Sequence, residues 1–87
     1  MIDIGVRFVP SAFKHGVSEA SIQWVLAHDP VNGIIEEADE TKYLAVGFDQ
    51  SGSLLEIMYN HINDETIKVF HAMKCRSQFR KQIGIER

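Results

Sequence analysis

The chain predicts an α+β fold in which N-terminal helices pack on a four-stranded antiparallel sheet, with a short C-terminal helix. Three observations carry that expectation. Apolar residues recur with helical spacing as far as Asp29-Pro30, they alternate with a period of two beyond it, and the later connections are too short for the crossovers that parallel strands need. The 87 residues make one domain, 1–87. A chain of this size buries only about 60–65% of its unfolded surface, enough for a single modest core.

In chain order, Val6-Arg7-Phe8-Val9 reads as a short first strand closed by Pro10, and Ser11–His15 as about one helical turn ended by Gly16. Ser18 then stands as the N-cap of a longer helix. Glu19 lies in its first turn, where negative charge suits the dipole, and Val17 with Ile22 forms a hydrophobic staple. Ile22, Val25 and Leu26 make the apolar stripe with Trp24 beside it, and Asp29-Pro30 stops the helix near His28. Val31–Glu37, Tyr43–Phe48, Leu54–Ile62 and Thr66–Ala72 read as the four strands, and Ser77–Ile83 as the closing helix.

The alternation also sets a register. Matching Leu44/Val46/Phe48 to Leu55/Ile57/Tyr59 puts Leu44 opposite Ile57 and Phe48 opposite Ser53, across the four-residue loop Asp49-Gln50-Ser51-Gly52. Matching that row to Ile67/Val69/His71 across Asn63-Asp64-Glu65 pairs His61 with Ile67, Tyr59 with Val69 and Ile57 with His71. His71 is then expected on the apolar face, while Met58, Phe70 and Tyr43 form an exposed apolar patch on the other.

Composition narrows the function classes. With 45% hydrophobic and 24% charged residues and two prolines, the chain is an ordinary globular one. Cys75 is the one cysteine, so neither an internal disulfide nor a cysteine zinc site is available, and a reducing compartment, the cytoplasm, is expected. Met1–Ile4 has no basic or apolar leader pattern, and no apolar run approaches the ~20 residues that span a bilayer, so no membrane partner is expected. The net charge of −3 hides a split: from Lys68 onward six cations stand against Glu86 alone, whereas the preceding residues hold three cations and eleven carboxylates. Glu36-Glu37-Ala38-Asp39-Glu40 reads as a solvated hairpin tip, because it lacks the ligand spacing of a calcium loop.

Most catalytic chemistries find no support. His61 and His71 stand roughly 13 Å apart in this register at ~3.3 Å per residue, too far to share a zinc ion. His15 and His28 have no i,i+4 partner, and neither a Gly-x-Ser-x-Gly elbow nor a glycine-rich phosphate loop is present, so no metal and no cofactor is expected. What remains is Lys14-His15 before the long helix and His71-Ala72-Met73-Lys74-Cys75-Arg76 at the exit of the last strand. Taken singly, His71 reads as a core-edge histidine, Cys75 as a bystander, and Lys14 and Arg76 as solvated cations. Brought together, such groups suit phosphate chemistry. Arginine and lysine hold a phosphodiester and the charge that builds at phosphorus, and histidine moves a proton.

Phe13-Lys14-His15-Gly16-Val17-Ser18-Glu19 and Val69-Phe70-His71-Ala72-Met73-Lys74-Cys75-Arg76, with a short helix and an antiparallel sheet between them, resemble BrnT-like toxins of bacterial toxin–antitoxin pairs. The likeness spans roughly residues 8–83. It implies a RelE-like fold, a metal-independent ribonuclease acting on messenger RNA, and a neutralising antitoxin with a ribbon-helix-helix domain, through which alone operator DNA is contacted. The family's Lys-His turn maps onto Lys14 and His15, and its arginine-rich stretch onto Lys74, Arg76 and Arg80. On that reading the substrate's 2′-OH attacks phosphorus, Lys14 and Arg76 hold phosphate and transition-state charge, Lys74 positions it, and His15 or His71 moves the proton. Arg76, Arg80 and Lys81 are the expected RNA-binding residues. The alternative is a non-catalytic interaction module, or an inactive toxin homologue, that binds an antitoxin-like partner.

Overall fold

The structure, a computed structural model, describes residues 5–36, 40–82 and 84. Its frame is one mixed sheet of five strands, β1 (Gly5–Phe8), β2 (Val31–Glu36), β3 (Lys42–Phe48), β4 (Leu54–Asn63) and β5 (Thr66–Lys74), in the spatial order β1-β5-β4-β3-β2. A four-residue 3₁₀ turn, Pro10–Phe13, and helix α1, Glu19–Ala27, lie between β1 and β2, and helix α2, Ser77–Gln82, follows β5. This corrects the expected fold class. The described residues are mostly sheet with two short α-helices, not a four-stranded antiparallel sheet under N-terminal helices, and the RelE-like layout drawn from the resemblance goes with that expectation. The difference lies in β1, which pairs in parallel with β5, Gly5 beside Thr66 and Phe8 beside Val69.

Apolar side chains are buried on both faces of the sheet. Ile22 and Val25 of α1 pack on Ala45, Leu55, Ile57, Val69 and Ala72, while Phe79 of α2 and Cys75 pack with Leu44, Val46 and Leu54. Each fully buried aliphatic side chain contributes about 1.5–3 kcal/mol. The close seat of α1 on β3 needs Gly47, because a Cβ there would stand 3.1 Å from Val25 Cγ1 and 3.4 Å from Pro30 Cβ. The helix itself begins as expected: Ser18 Oγ accepts the Ser21 N–H at 3.1 Å, and Val17 packs against the cluster that contains Ile22. It ends at His28, followed by Asp29 at φ 51°.

Two registers differ from expectation. The β3–β4 pairing is Phe48 with Leu54, Ala45 with Ile57 and Leu44 with Met58, one residue away from the expected match. Leu44, Ala45 and Val46 are buried in succession, as are Leu54 to Ile57, so neither strand alternates in a way that reveals its faces. The loop is also one residue longer, Asp49–Ser53; the Asp49 N–H bonds the Ser53 carbonyl at 2.8 Å, and Asp49 Oδ1 accepts the N–H groups of Ser51 and Ser53 at 2.9 Å each.

Along β4 and β5, His61 pairs with Ile67 and Tyr59 with Val69 as expected, but Met58 then pairs with His71 and Ile57 with Ala72. Phe70 is the extra residue of a bulge. Val69 and Ala72 both enter the α1-side core, and His71 turns to the opposite face, which corrects the pairing of Ile57 with His71 and the placement of His71 on the Ile57 face. The expected apolar patch dissolves for the same reasons. Tyr43 stacks on Tyr59 at 5.4 Å on the α1 side, Met58 packs against the second core, and Phe70 is half-buried. Glu36 ends β2 and pairs with Lys42 at 3.2 Å; Glu37–Asp39 of the acidic tip, and Ile83 of the expected closing helix, lie outside the described residues. Among the described residues no helix is long and apolar enough to cross a membrane.

Candidate functional site

At the centre of a polar cluster stands Glu56, the third residue of β4 and 0% exposed. A bare carboxylate at such a position would cost several kcal/mol, so it must be bonded. Three groups supply the bonds. Arg76 donates from Nη2 to Oε2 at 2.7 Å and from Nε at 3.1–3.2 Å, its backbone N–H donates to Oε1 at 2.9 Å, and His71 Nε2 lies 2.9 Å from Oε2. Burial pushes the Glu56 carboxyl upward, but the side-chain and backbone bonds from Arg76 and the bond from His71 outweigh it, and the net shift is downward. The carboxylate is thus ionised at neutral pH and can only accept, so the proton in the His71 bond sits on Nε2. Glu56 in turn raises the Arg76 pKa, chiefly through their side-chain hydrogen bond.

Arg76 is held without being consumed. Its side chain is 43% exposed, its Nη1 group takes no part in the Glu56 pair, and the guanidinium carbon lies 5.0 Å from the Phe79 ring centre. His71 is 19% exposed. A second imidazole touches it, for the His15 ring stands 5.4 Å from that of His71, edge to face. His15 arrives there on the turn that follows the 3₁₀ segment. β1 covers only the Thr66–Val69 part of the outer edge of β5, and the 3₁₀ segment lies along the next stretch, where Ser11 Oγ donates to the Phe70 carbonyl at 2.7 Å. Gly16 at φ 81° then reverses the chain towards the Ser18 cap.

Beside His15 opens a groove of about 500 Å³, within the ordinary range for small-ligand sites. His15, Ser18, Asp49, Leu55, Met73 and Lys74 are among its walls.

Of the residues singled out from sequence, His15 and His71 are in direct contact, Arg76 is linked to His71 through Glu56, and Lys74 borders the groove with His15. Lys14 and Lys81 are exposed and enter none of these contacts. Arg80 is half-buried on α2; its Nε is buried and has no hydrogen-bond partner among the described residues. Cys75 is buried, and burial together with the Glu56 charge raises its thiol pKa, so it is a poor nucleophile. The residue that sequence reasoning missed is Glu56. Its signal was present: a lone carboxylate inside the apolar run Leu54-Leu55-Glu56-Ile57-Met58 has to find a partner once that strand is buried.

Among the described residues no three histidine, cysteine, aspartate or glutamate side chains come close enough to hold a metal ion together. No protein-family model, curated protein or solved structure matches the chain.

Proposed function

We propose that the chain is a metal-independent endoribonuclease that cleaves RNA through the substrate's own 2′-OH. The observation that carries this reading is the contact chain His15–His71–Glu56–Arg76, which brings two imidazoles and a half-exposed guanidinium to one place on β5 and its exit. Internal attack by the 2′-OH needs no protein nucleophile, only a base for that hydroxyl, an acid for the departing 5′ oxygen, and positive charge for the phosphorane. Glu56 fixes the His71 tautomer: with Nε2–H donating a hydrogen bond to the carboxylate, Nδ1 carries the lone pair of the neutral ring, so His71 is the base and His15 the acid. Arg76, oriented through Glu56, supplies charge to the phosphoryl oxygens, and Lys74 holds the strand beside them. Lys14 and Lys81, exposed and apart from this cluster, are left with general attraction for the RNA backbone.

The resemblance to BrnT-like toxins supports the same substrate and adds the setting: a toxin in the bacterial cytoplasm, neutralised by an antitoxin with a ribbon-helix-helix domain. A second reading, a binding module without catalysis, draws on β2, an edge strand whose sole neighbour among the described residues is β3, with Val31 and Ile34 exposed.

The test is cleavage of RNA in EDTA by the wild type and by His15→Ala and His71→Ala, each first shown to fold. Loss of about 10²–10⁴-fold in either variant, with 2′,3′-cyclic phosphate ends and no cleavage at a 2′-deoxy position, is expected. Undiminished cleavage in both variants, or cleavage that EDTA abolishes, would overturn the mechanism. Induced expression in bacteria then separates the two readings. Growth arrest with broken transcripts belongs to the nuclease, and growth arrest that survives both histidine substitutions belongs to the binding module.

A further inference from the structure

We propose that the groove beside His15 is the nucleoside subsite of this RNA site, and that Asp49 makes it select guanine. The inference rests on the ribonuclease reading and goes beyond it to the identity of the base. The walls sort by chemistry: His15 and Lys74 suit a phosphate, Val17 and Leu55, both of the α1-side cluster, offer apolar contact to a ring, and Asp49 contributes a carboxylate. A carboxylate repels phosphate, so Asp49 must meet another part of the ligand, and that part must donate hydrogen bonds. Among the described residues no cation pairs with Asp49. Nor can it swing away freely, because Oδ1 is tied to the N–H groups of Ser51 and Ser53 at 2.9 Å each.

Of the four RNA bases, guanine alone sets two N–H groups side by side, N1–H and N2–H, on its Watson–Crick edge. Adenine and cytosine bring one amino group and uracil one ring N–H. Single-stranded RNA exposes these edges for reading. The loop N–H groups occupy Oδ1, so both guanine donors converge on Oδ2; the charged acceptor strengthens each bond, and the second donor is worth about tenfold in affinity.

The experiment is an amide NMR titration of the full chain with guanosine, adenosine and uridine 3′-monophosphates, run beside an RNA cleavage assay. Shifts at Gly16, Ser18, Ser53 and Leu55, and guanosine binding about tenfold tighter than the other two, are expected. Asp49→Asn keeps the oxygen that closes the loop and removes the charge; it should bring guanosine down to the level of adenosine. Equal binding of the three nucleotides by the wild type, which requires no folded variant, overturns the subsite, as do shifts confined to residues away from the groove. The two proposals fail separately. RNA left uncut by a chain that binds the guanosine nucleotide in this groove overturns the ribonuclease and supports the subsite, and RNA cut equally after every base overturns the subsite alone.

Discussion

His71 Nε2 lies 2.9 Å from Glu56 Oε2, and the two meet because β5 carries one residue more than β4 across from it. Without Phe70 in the bulge, the alternation that buries Val69 would bury His71 as well. With it, Val69 and Ala72 share the α1-side core, and His71 reaches the carboxylate on the other face. A packing irregularity thereby turns a core-edge position into a polar one.

Glu56→Gln keeps the side chain's shape and removes its charge, so the bonds from His71 and Arg76 lose their ionic partner. A loss of roughly 1.5–3 kcal/mol in urea unfolding is expected, towards the lower end because the Arg76 side chain, 43% exposed, can turn to water. A change within about 0.5 kcal/mol, the scale of an ordinary surface substitution, would show that the carboxylate is not the hub described.

Acid should remove the same contribution. The folded-state pKa of Glu56 lies below its ordinary 4.5, because the Arg76 and His71 bonds outweigh the upward push of burial. The unfolded chain therefore takes up the proton first. Its stabilising contribution is complete above pH 4.5 and is lost as pH falls through the folded value. Urea midpoints of the wild type and Glu56→Gln, followed from neutral pH downward, should converge below 4.5; a gap that stays constant there would contradict the linkage.

Ser11→Ala tests how His15 is held. It deletes the 2.7 Å bond to the Phe70 carbonyl, an exposed contact worth about 0.5–1 kcal/mol, and frees the turn that carries the imidazole. Faster amide exchange over Ala12–Gly16 and weaker RNA cleavage, with global stability nearly unchanged, are the expected results. Cleavage at the wild-type rate despite faster exchange would mean that the turn does not position His15 for the reaction.

What the sequence determined by itself was local. The Ser18 cap, the Val17–Ile22 staple and the stop at Asp29-Pro30 each involve residues within a few positions of one another, so their chemistry can be read directly, and α1 runs from Glu19 to Ala27 accordingly. His15, His71 and Arg76 were legible only as members of a group, because each alone has an ordinary structural use and their collective suitability for phosphate is what singled them out. Tertiary structure decided the rest. Gly5 pairs in parallel with Thr66 across most of the chain, a match that no local alternation encodes. Burial on both faces of β3 and β4 erased the period that would have set their register, leaving a one-residue choice to the packing of Ala45 and Ile57 beneath α1. Glu56 depended on both: its carboxylate is tolerable only where the β5 bulge delivers His71 and the strand's exit delivers Arg76, since a buried charge is stable only with its partners in place.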